Sequence, residues 1–256
     1  MENWAKLPPG WSFKEVGAVG ADRDDNVYVF NRGEHPMVVF DREGNFLRSW
    51  GEGVFPRAHG LQMGPDDTVW LTDDGDSSVR QCTLEGKVLL TLGVPGRPAP
   101  YMSGEPFHRC THTALSPQGE VYVADRENHR VQVFDPNGRY ETQWNNLHRP
   151  CGLFMPPGRC PVCYIGELGP GMPVNLGLPN LGPRLTIVDH TGRRLARFGG
   201  PHAGLQPGSF LAPHGICVDS RGDIYVGEVS WTNWTTSHPG QPRPDNVRCL
   251  QKFRKV

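Results

Sequence analysis

Apolar residues in this chain come in short runs with a period near two, separated by turns of Asp, Asn, Gly and Pro. The stretch VYVADRENHRVQVFDPNGRYETQW, residues 121–144, shows the order: an apolar run, an acidic turn, a second run, a Gly turn and a third run. The same order recurs in VYVFNRGEHPMVVFDREGNFLRSW (27–50) and VWLTDDGDSSVRQCTLEGKVLLTL (69–92). Anchoring on the acidic or amide residue that closes the first run finds two more copies. Asn31, Asp73, Asp125, Glu167 and Glu228 then mark five repeats, spaced 42, 52, 42 and 61 residues apart. The larger steps come from Gly/Pro-rich insertions such as GPGMPVNLGLPNLGP (169–183), which belong in loops.

Each anchor run follows another short apolar segment: VGAVGAD (16–22), HGLQMG (59–64), THTALS (111–116), CGLFMP (151–156) and HGICVD (214–219). One repeat therefore holds four short strands, a to d. Val, Ile, Tyr, Phe and Trp dominate the runs, and Pro or Gly interrupts every stretch before a helix of useful length. Four-stranded units at this period predict an all-β fold, a β-propeller of five blades over roughly 17–52, 55–93, 107–145, 148–199 and 210–256, in a single domain 1–256. Strand d of the last repeat is missing, because the sequence reaches only CLQKFRKV in strand c. WSFKEV, at 11–16, is expected to supply it and close the ring.

Composition adds limits. A length of 256 residues with 37% hydrophobic content is enough for one sizeable core, and 32 Gly and 25 Pro suit a turn-rich all-β chain. A net charge of -1 gives no electrostatic reason to expect nucleic acid or a membrane as partner. MENWAKLPPGW lacks the apolar core of a signal peptide and no run approaches transmembrane length, so a cytoplasmic location is expected, with the seven cysteines as reduced thiols. Asn233-Trp234-Thr235 fits the glycosylation pattern but would not meet that machinery there.

In a propeller the loop leading into strand a and the loop leaving strand b open on one face, with strand a along the axis. The lead-in positions are Gly17, His59, Thr111, Cys151 and His214, and the strand-b exits are Asn31-Arg32, Asp73-Asp74, Asp125-Arg126, Glu167-Leu168 and Glu228-Val229. Two His at equivalent positions, each followed by Gly, invite a metal, and zinc suits imidazole. A third ligand is sought in Cys151, at the equivalent position, or in His112, one residue past it; a buried structural thiol is the competing reading of Cys151. Arg32 reaches the same face, and Gly17 leaves space beside it, so Arg32 is expected to bind an anionic substrate group, with Asp74 and Arg126 as further substrate-binding candidates. The anchor carboxylates are read as loop caps, with an axial calcium as the alternative. Cys160-Pro161-Val162-Cys163 lacks the second pair a structural zinc needs, and no phosphate-binding Gly loop or GxSxG elbow is present.

HGICVDSRGDIYVGE and VYVADRENHRVQVFDPNGR resemble the NHL repeat, and residues 11–256 resemble bacterial propellers related to peptidyl-α-hydroxyglycine α-amidating lyase. The resemblance implies an axial zinc held by His from three repeats, an Arg that binds the substrate carboxylate, a Tyr that assists proton transfer, and a calcium deeper in the channel. VYVFNRGEH carries the Arg onto Arg32, RAHGL carries one His onto His59, and APHGI carries another onto His214. The family has six blades. Here THTALSPQGEVYVAD looks like the start of its third repeat and DRENHRVQVF like the end of its fourth, as though one blade's length were removed, and the family's Tyr and third His have no counterpart. Such a shortening also opens the alternative of a gap that drives homo-oligomerisation. Three function classes follow: a metal-dependent, lyase-like enzyme for a small carboxylated or α-hydroxy substrate, a metal-dependent hydrolase of lactones or activated esters, and a non-enzymatic interaction scaffold.

Overall fold

The computed structural model of the chain describes residues 4–103, 106–156 and 162–256. Its architecture is all-β, a five-bladed propeller whose blades are antiparallel sheets. The first blade is β1 (Val16–Ala21), β2 (Val27–Asn31), β3 (Met37–Phe40) and β4 (Phe46–Trp50), and the second is β5 (Ala58–Met63), β6 (Thr68–Asp73), β7 (Ser78–Thr83) and β8 (Val88–Leu92). The third holds β9 (Cys110–Leu115), β10 (Val121–Asp125), β11 (Arg130–Phe134) and β12 (Tyr140–Trp144), and the fourth β13 (Pro150–Phe154), β14 (Val162–Glu167), β15 (Arg184–Asp189) and β16 (Arg194–Phe198). The fifth has three strands, β17 (Pro213–Val218), β18 (Ile224–Glu228) and β19 (Leu250–Phe253). By contact density the chain divides into two compact units, Met1–Thr113 and Ala114–Val256, with the boundary inside β9.

The hairpins form where the sequence places its turn residues. Asp22 accepts hydrogen bonds from the amides of Asp24 and Asn26, Asp135 from those of Asn137 and Arg139, and Asp219 from those of Arg221 and Asp223. One carboxylate thus satisfies two amides that the tight turn leaves without a ladder partner.

In the first unit, Tyr28, Phe30, Met37, Val39, Leu71 and Cys82 lie in one buried cluster. A second cluster, around Val29, Val38 and Phe40, is covered by Trp4, Leu7, Trp11 and Phe13. This corrects the expectation for residues 11–16. The sheet of the fifth blade has three strands, and the N-terminal segment lies on the first blade, where Trp11 stands edge-on to Phe46 at 5.4 Å and Phe13 to Phe40 at 6.2 Å. Burying these rings against an apolar sheet face is worth more than adding one short strand to an edge. In the second unit, Tyr122, Trp144, Leu153 and Ile165 belong to one cluster, and Leu185, Phe210 and Val226 to another, backed by Phe198 and Phe253. A helix unforeseen in the sequence, α1 (Ser230–Ser237), follows β18. Trp234 is its buried anchor, and His238 stacks on that ring at 4.0 Å.

Strand a of one blade runs very close to the next. A Cβ on Gly60 would sit 2.5 Å from the Thr111 carbonyl oxygen, and one on Gly152 would sit 1.8 Å from that of His214. Gly215, the corresponding residue of β17, has nothing within 4 Å of such a Cβ. Gly152→Ala is therefore expected to destabilise the protein by about 1–3 kcal/mol or more, the cost of overpacking. Gly215→Ala should stay within about 0.5 kcal/mol of the parent. Chemical denaturation of the two variants side by side checks the contrast.

Candidate metal centre

Four blades share a local irregularity in the ladder between strands a and b. In β5, Ala58 pairs with Asp73 and Gly60 with Thr72, which leaves His59 without an opposite residue. Cys151 is skipped in the same way between Pro150 and Gly152, His214 between Pro213 and Gly215, and Gly17 between Val16 and Ala18. A bulge of this kind turns the extra residue's side chain out of the regular alternation. His59 and Cys151 are buried and His214 is half-buried. Within the second unit, the Cys151 Sγ and a His214 ring nitrogen lie no more than 4.8 Å apart. Two donors at that spacing, one soft sulfur and one imidazole, suit zinc better than a hard cation such as calcium.

The anchor carboxylates hold these bulges in place. Asp73 is buried and accepts the amides of Arg57, Gly75 and Asp76 at 2.8, 2.8 and 2.9 Å. Burial raises its carboxyl above the usual aspartate value against the pull of those amides. Glu167 accepts the His148 amide at 2.5 Å and the Arg184 fork at 2.8 and 2.9 Å, and Glu228 accepts the amides of Leu211 and Ala212 at 2.7 and 3.2 Å. Each therefore ties the end of strand b to the loop that delivers the bulged residue, the capping task read from the sequence. Asp125 gathers Asn128, Arg130 and Gln132 at 2.8–3.0 Å.

Arg32 leaves β2 and donates from Nη1 to Glu15 at 2.6 Å and from Nε to the Ala58 carbonyl at 3.1 Å. Its hydrogen bond and charge, in that order, hold the Glu15 carboxyl below the usual glutamate value. The sequence reading left open space beside Gly17, but a Cβ there would meet the carbonyl oxygens of His59 and Ala58 at 2.8 and 2.9 Å. The backbone of β5 fills that place, and Gly17 serves its close approach. Asp74 is buried and in contact with Arg57 Nη1, and Arg126 donates from Nε to Glu127 at 2.8 Å. Thr111 is the second residue of β9, and His112, half-buried, follows it with its side chain on the alternate face. Cys163 is buried in β14, where burial pushes its thiol up to about 12; Cys160 lies outside the described residues.

Two features were missed in the sequence. Arg57, Arg109 and Arg149 all stand two residues before a lead-in position, a repeat visible in RAHG, RCTH and RPCG. Arg149 has a positive φ of 55° and holds Glu127 with Nη2 and Nε at 2.9 and 3.1 Å. Burial pushes Glu127 up, but the hydrogen bonds and charge of Arg149, together with Arg126, keep its carboxyl below the ordinary value. The second is an imidazole pair, His129 and His148, edge to face at 5.8 Å. Burial lowers both pKa values, helped at His129 by the charge of His148 and at His148 by that of Arg184.

The NHL repeat family matches residues 107–134. The chain is 33% identical over 158 residues to peptidyl-alpha-hydroxyglycine alpha-amidating lyase 1 of Drosophila melanogaster, covering 50% of this chain and 29% of that one. It is 29% identical over 195 residues to peptidyl-glycine alpha-amidating monooxygenase B of Xenopus laevis, covering 62% and 22%. The chain thus spans less than a third of the length of either relative. Among solved structures it resembles a gluconolactonase of Xanthomonas campestris, with a TM-score of 0.59 and 14% identity over 84% of this chain and 71% of that one, a likeness of fold. No helix among the described residues is long and apolar enough to cross a membrane.

The His pair makes the second unit sensitive to acid. Unfolded His titrates near 6.5, and both folded values lie below theirs. Below about pH 6.5 the unfolded chain takes up protons that the folded chain refuses, so the stability present above that pH is lost as pH falls through the folded values. His148→Gln is expected to lose less melting temperature than the parent between about pH 7.5 and 5, measured by thermal denaturation across that range.

Proposed function

We propose that the protein is a metal-dependent enzyme of the lyase type for a small carboxylated or α-hydroxy substrate, in which Cys151 and His214 hold a divalent ion, zinc by the chemistry of the donors, and His59, at the equivalent bulge of the second blade, is the third ligand by repeat equivalence. The observation that carries this reading is the shared bulge. Three residues able to ligate zinc occupy one structural position in three blades, where a packing role would require no His or Cys. The fourth bulged residue is Gly17, pressed against the β5 backbone. The lyase reading is supported by the relatives, whose names describe amidating enzymes acting on hydroxyglycine and glycine peptides.

When bound, the metal would act as a Lewis acid toward a hydroxyl or carbonyl oxygen. Cys151 serves as thiolate and His214 as neutral imidazole, which makes metal affinity fall in acid. Arg32 is the carboxylate receptor. Its Nε bond to Ala58 fixes the guanidinium beside the strand that carries His59, and Glu15, held by Nη1 alone, is an internal anion that a substrate carboxylate displaces. In the lyase reaction the hydroxyl of an α-hydroxyglycine gives up its proton, its oxygen becomes a carbonyl, and the C–N bond breaks. The nitrogen takes a proton and leaves as an amide, with glyoxylate as the other product.

Dialysed protein is expected to retain about one zinc per chain, the stoichiometry of a three-ligand site with one open position. His59→Ala and His214→Ala should each lower that content, and unchanged content in both removes the metal. Cys151 should react with iodoacetamide faster after chelation than before, because coordination shields the thiolate. Product analysis then separates the chemistries: glyoxylate from an α-hydroxyglycine peptide supports the lyase, whereas hydrolysis of a lactone without glyoxylate replaces it with a hydrolase. Arg32→Lys keeps the charge but loses the fork, and should cost a carboxylated substrate about 1.5–3 kcal/mol in kcat/KM. Equal losses for a neutral substrate would remove Arg32 from carboxylate recognition.

A further inference from the structure

Within the second unit, the Gly/Pro-rich insertion after β14 and helix α1 after β18 line a cavity of about 150 Å³. Leu168, Leu176, Pro183, Ala203 and Leu211 give it an apolar wall. Its location follows from the chain. Arg149, also in the wall, is two residues from Cys151, and Leu211 is three from His214. At about 3.3 Å per residue both donors lie within roughly 10 Å of it.

Three polar side chains of the wall, Arg149, Asn233 and Ser237, are engaged elsewhere, and His202 and Thr236 complete its polar part. Arg149 holds Glu127 through two nitrogens, and its stem lies against Gly171, where a Cβ would be 2.7 Å from Cδ. Ser237 Oγ donates within its own helix, to the carbonyls of Asn233 and Trp234 at 3.1 and 3.3 Å, and Asn233 Nδ2 donates to the Val229 carbonyl at 3.2 Å. With the Arg149 cation neutralised and these donors occupied, the wall presents no free guanidinium to an organic anion, while Leu168, Leu176, Pro183, Ala203 and Leu211 offer contact to an apolar group beside His202 and Thr236. Its size is that of cavities that hold one benzene ring.

Resting on the metal-centre reading, we propose that this cavity is the specificity pocket of the site, taking a neutral branched aliphatic or single-ring group attached to the hydroxy acid. The insertion and α1 then decide which substrate is used, while Cys151 and His214 of the same unit handle the groups common to all.

Two measurements test it separately. The first uses metal-free protein and benzyl alcohol, followed by ligand-observed NMR. Binding is expected, and its loss is expected in Ala203→Phe and in Leu176→Phe, two substitutions that fill the cavity from different loops. The second uses zinc-loaded protein and calorimetry with glycolate and 2-hydroxyisocaproate. The larger acid should bind about 10- to 100-fold more tightly, the gain from burying a leucine-sized side chain. Both filled variants should lose that preference and keep their affinity for glycolate. Absence of benzyl alcohol binding, or a preference unchanged in both filled variants, overturns the pocket and leaves the metal centre standing. Benzyl alcohol binding that is lost in the filled variants, with no binding of either acid to zinc-loaded protein, overturns the metal centre instead.

Discussion

A buried carboxylate at the end of strand b, holding the amides of the loop that leads into strand a, is the interaction on which this structure turns. Asp73, Glu167 and Glu228 each do so, at 2.5–3.2 Å from the amides they receive. A carboxylate out of water is costly unless its oxygens are satisfied, and here backbone donors satisfy them. The consequence is geometric. Because the loop is fixed at its last residues, strand a begins in the same place in each of these blades, and so does the residue that the bulge turns aside.

That arrangement couples stability to function. The carboxylates cannot move without loosening the lead-in loop, and in the second blade Thr72 adds a further link. Its hydroxyl accepts the Gly60 amide at 2.7 Å and donates to the Thr111 carbonyl at 2.8 Å. Gly60 and Gly152, which follow His59 and Cys151, belong to the same device. A side chain in place of Gly60 or Gly152 would strike a backbone carbonyl. His-Gly and Cys-Gly thus combine two needs in adjacent positions, a donor on one side of the strand and closeness on the other.

Much of the fold was legible in the sequence because it rests on local rules. Alternating apolar runs, Asp turns and the recurring anchor residues specify the strands and their order, and five sheets form where five repeats were read. The bulge positions were legible as well, since the repeat aligns His59, Cys151 and His214 without reference to structure. What the sequence hid depends on competition between distant parts. Trp11 and Phe13 look like alternating strand residues, and only the apolar face formed by Val29, Val38 and Phe40 shows why they serve as a cover. Glu15 could not be chosen as the partner of Arg32 over Glu34, Asp73 or Asp74 by spacing alone. SWTNWTTS has weak helical propensity, and its helix depends on the burial of Trp234.

The three-stranded fifth blade has a consequence for solubility. Its outermost strand, β19, leaves one side of its backbone outside the ladder, the kind of surface that recruits strands from other molecules. The strand is short, and its Lys252 extends over the Tyr225 ring at 4.9 Å to reach Asp223 at 2.8 Å. Arg254 and Lys255 follow at once. A cluster of cations on a four-residue edge is a gatekeeper, repelling a like-charged edge that approaches from a neighbouring molecule. The edge is thus guarded against uncontrolled growth.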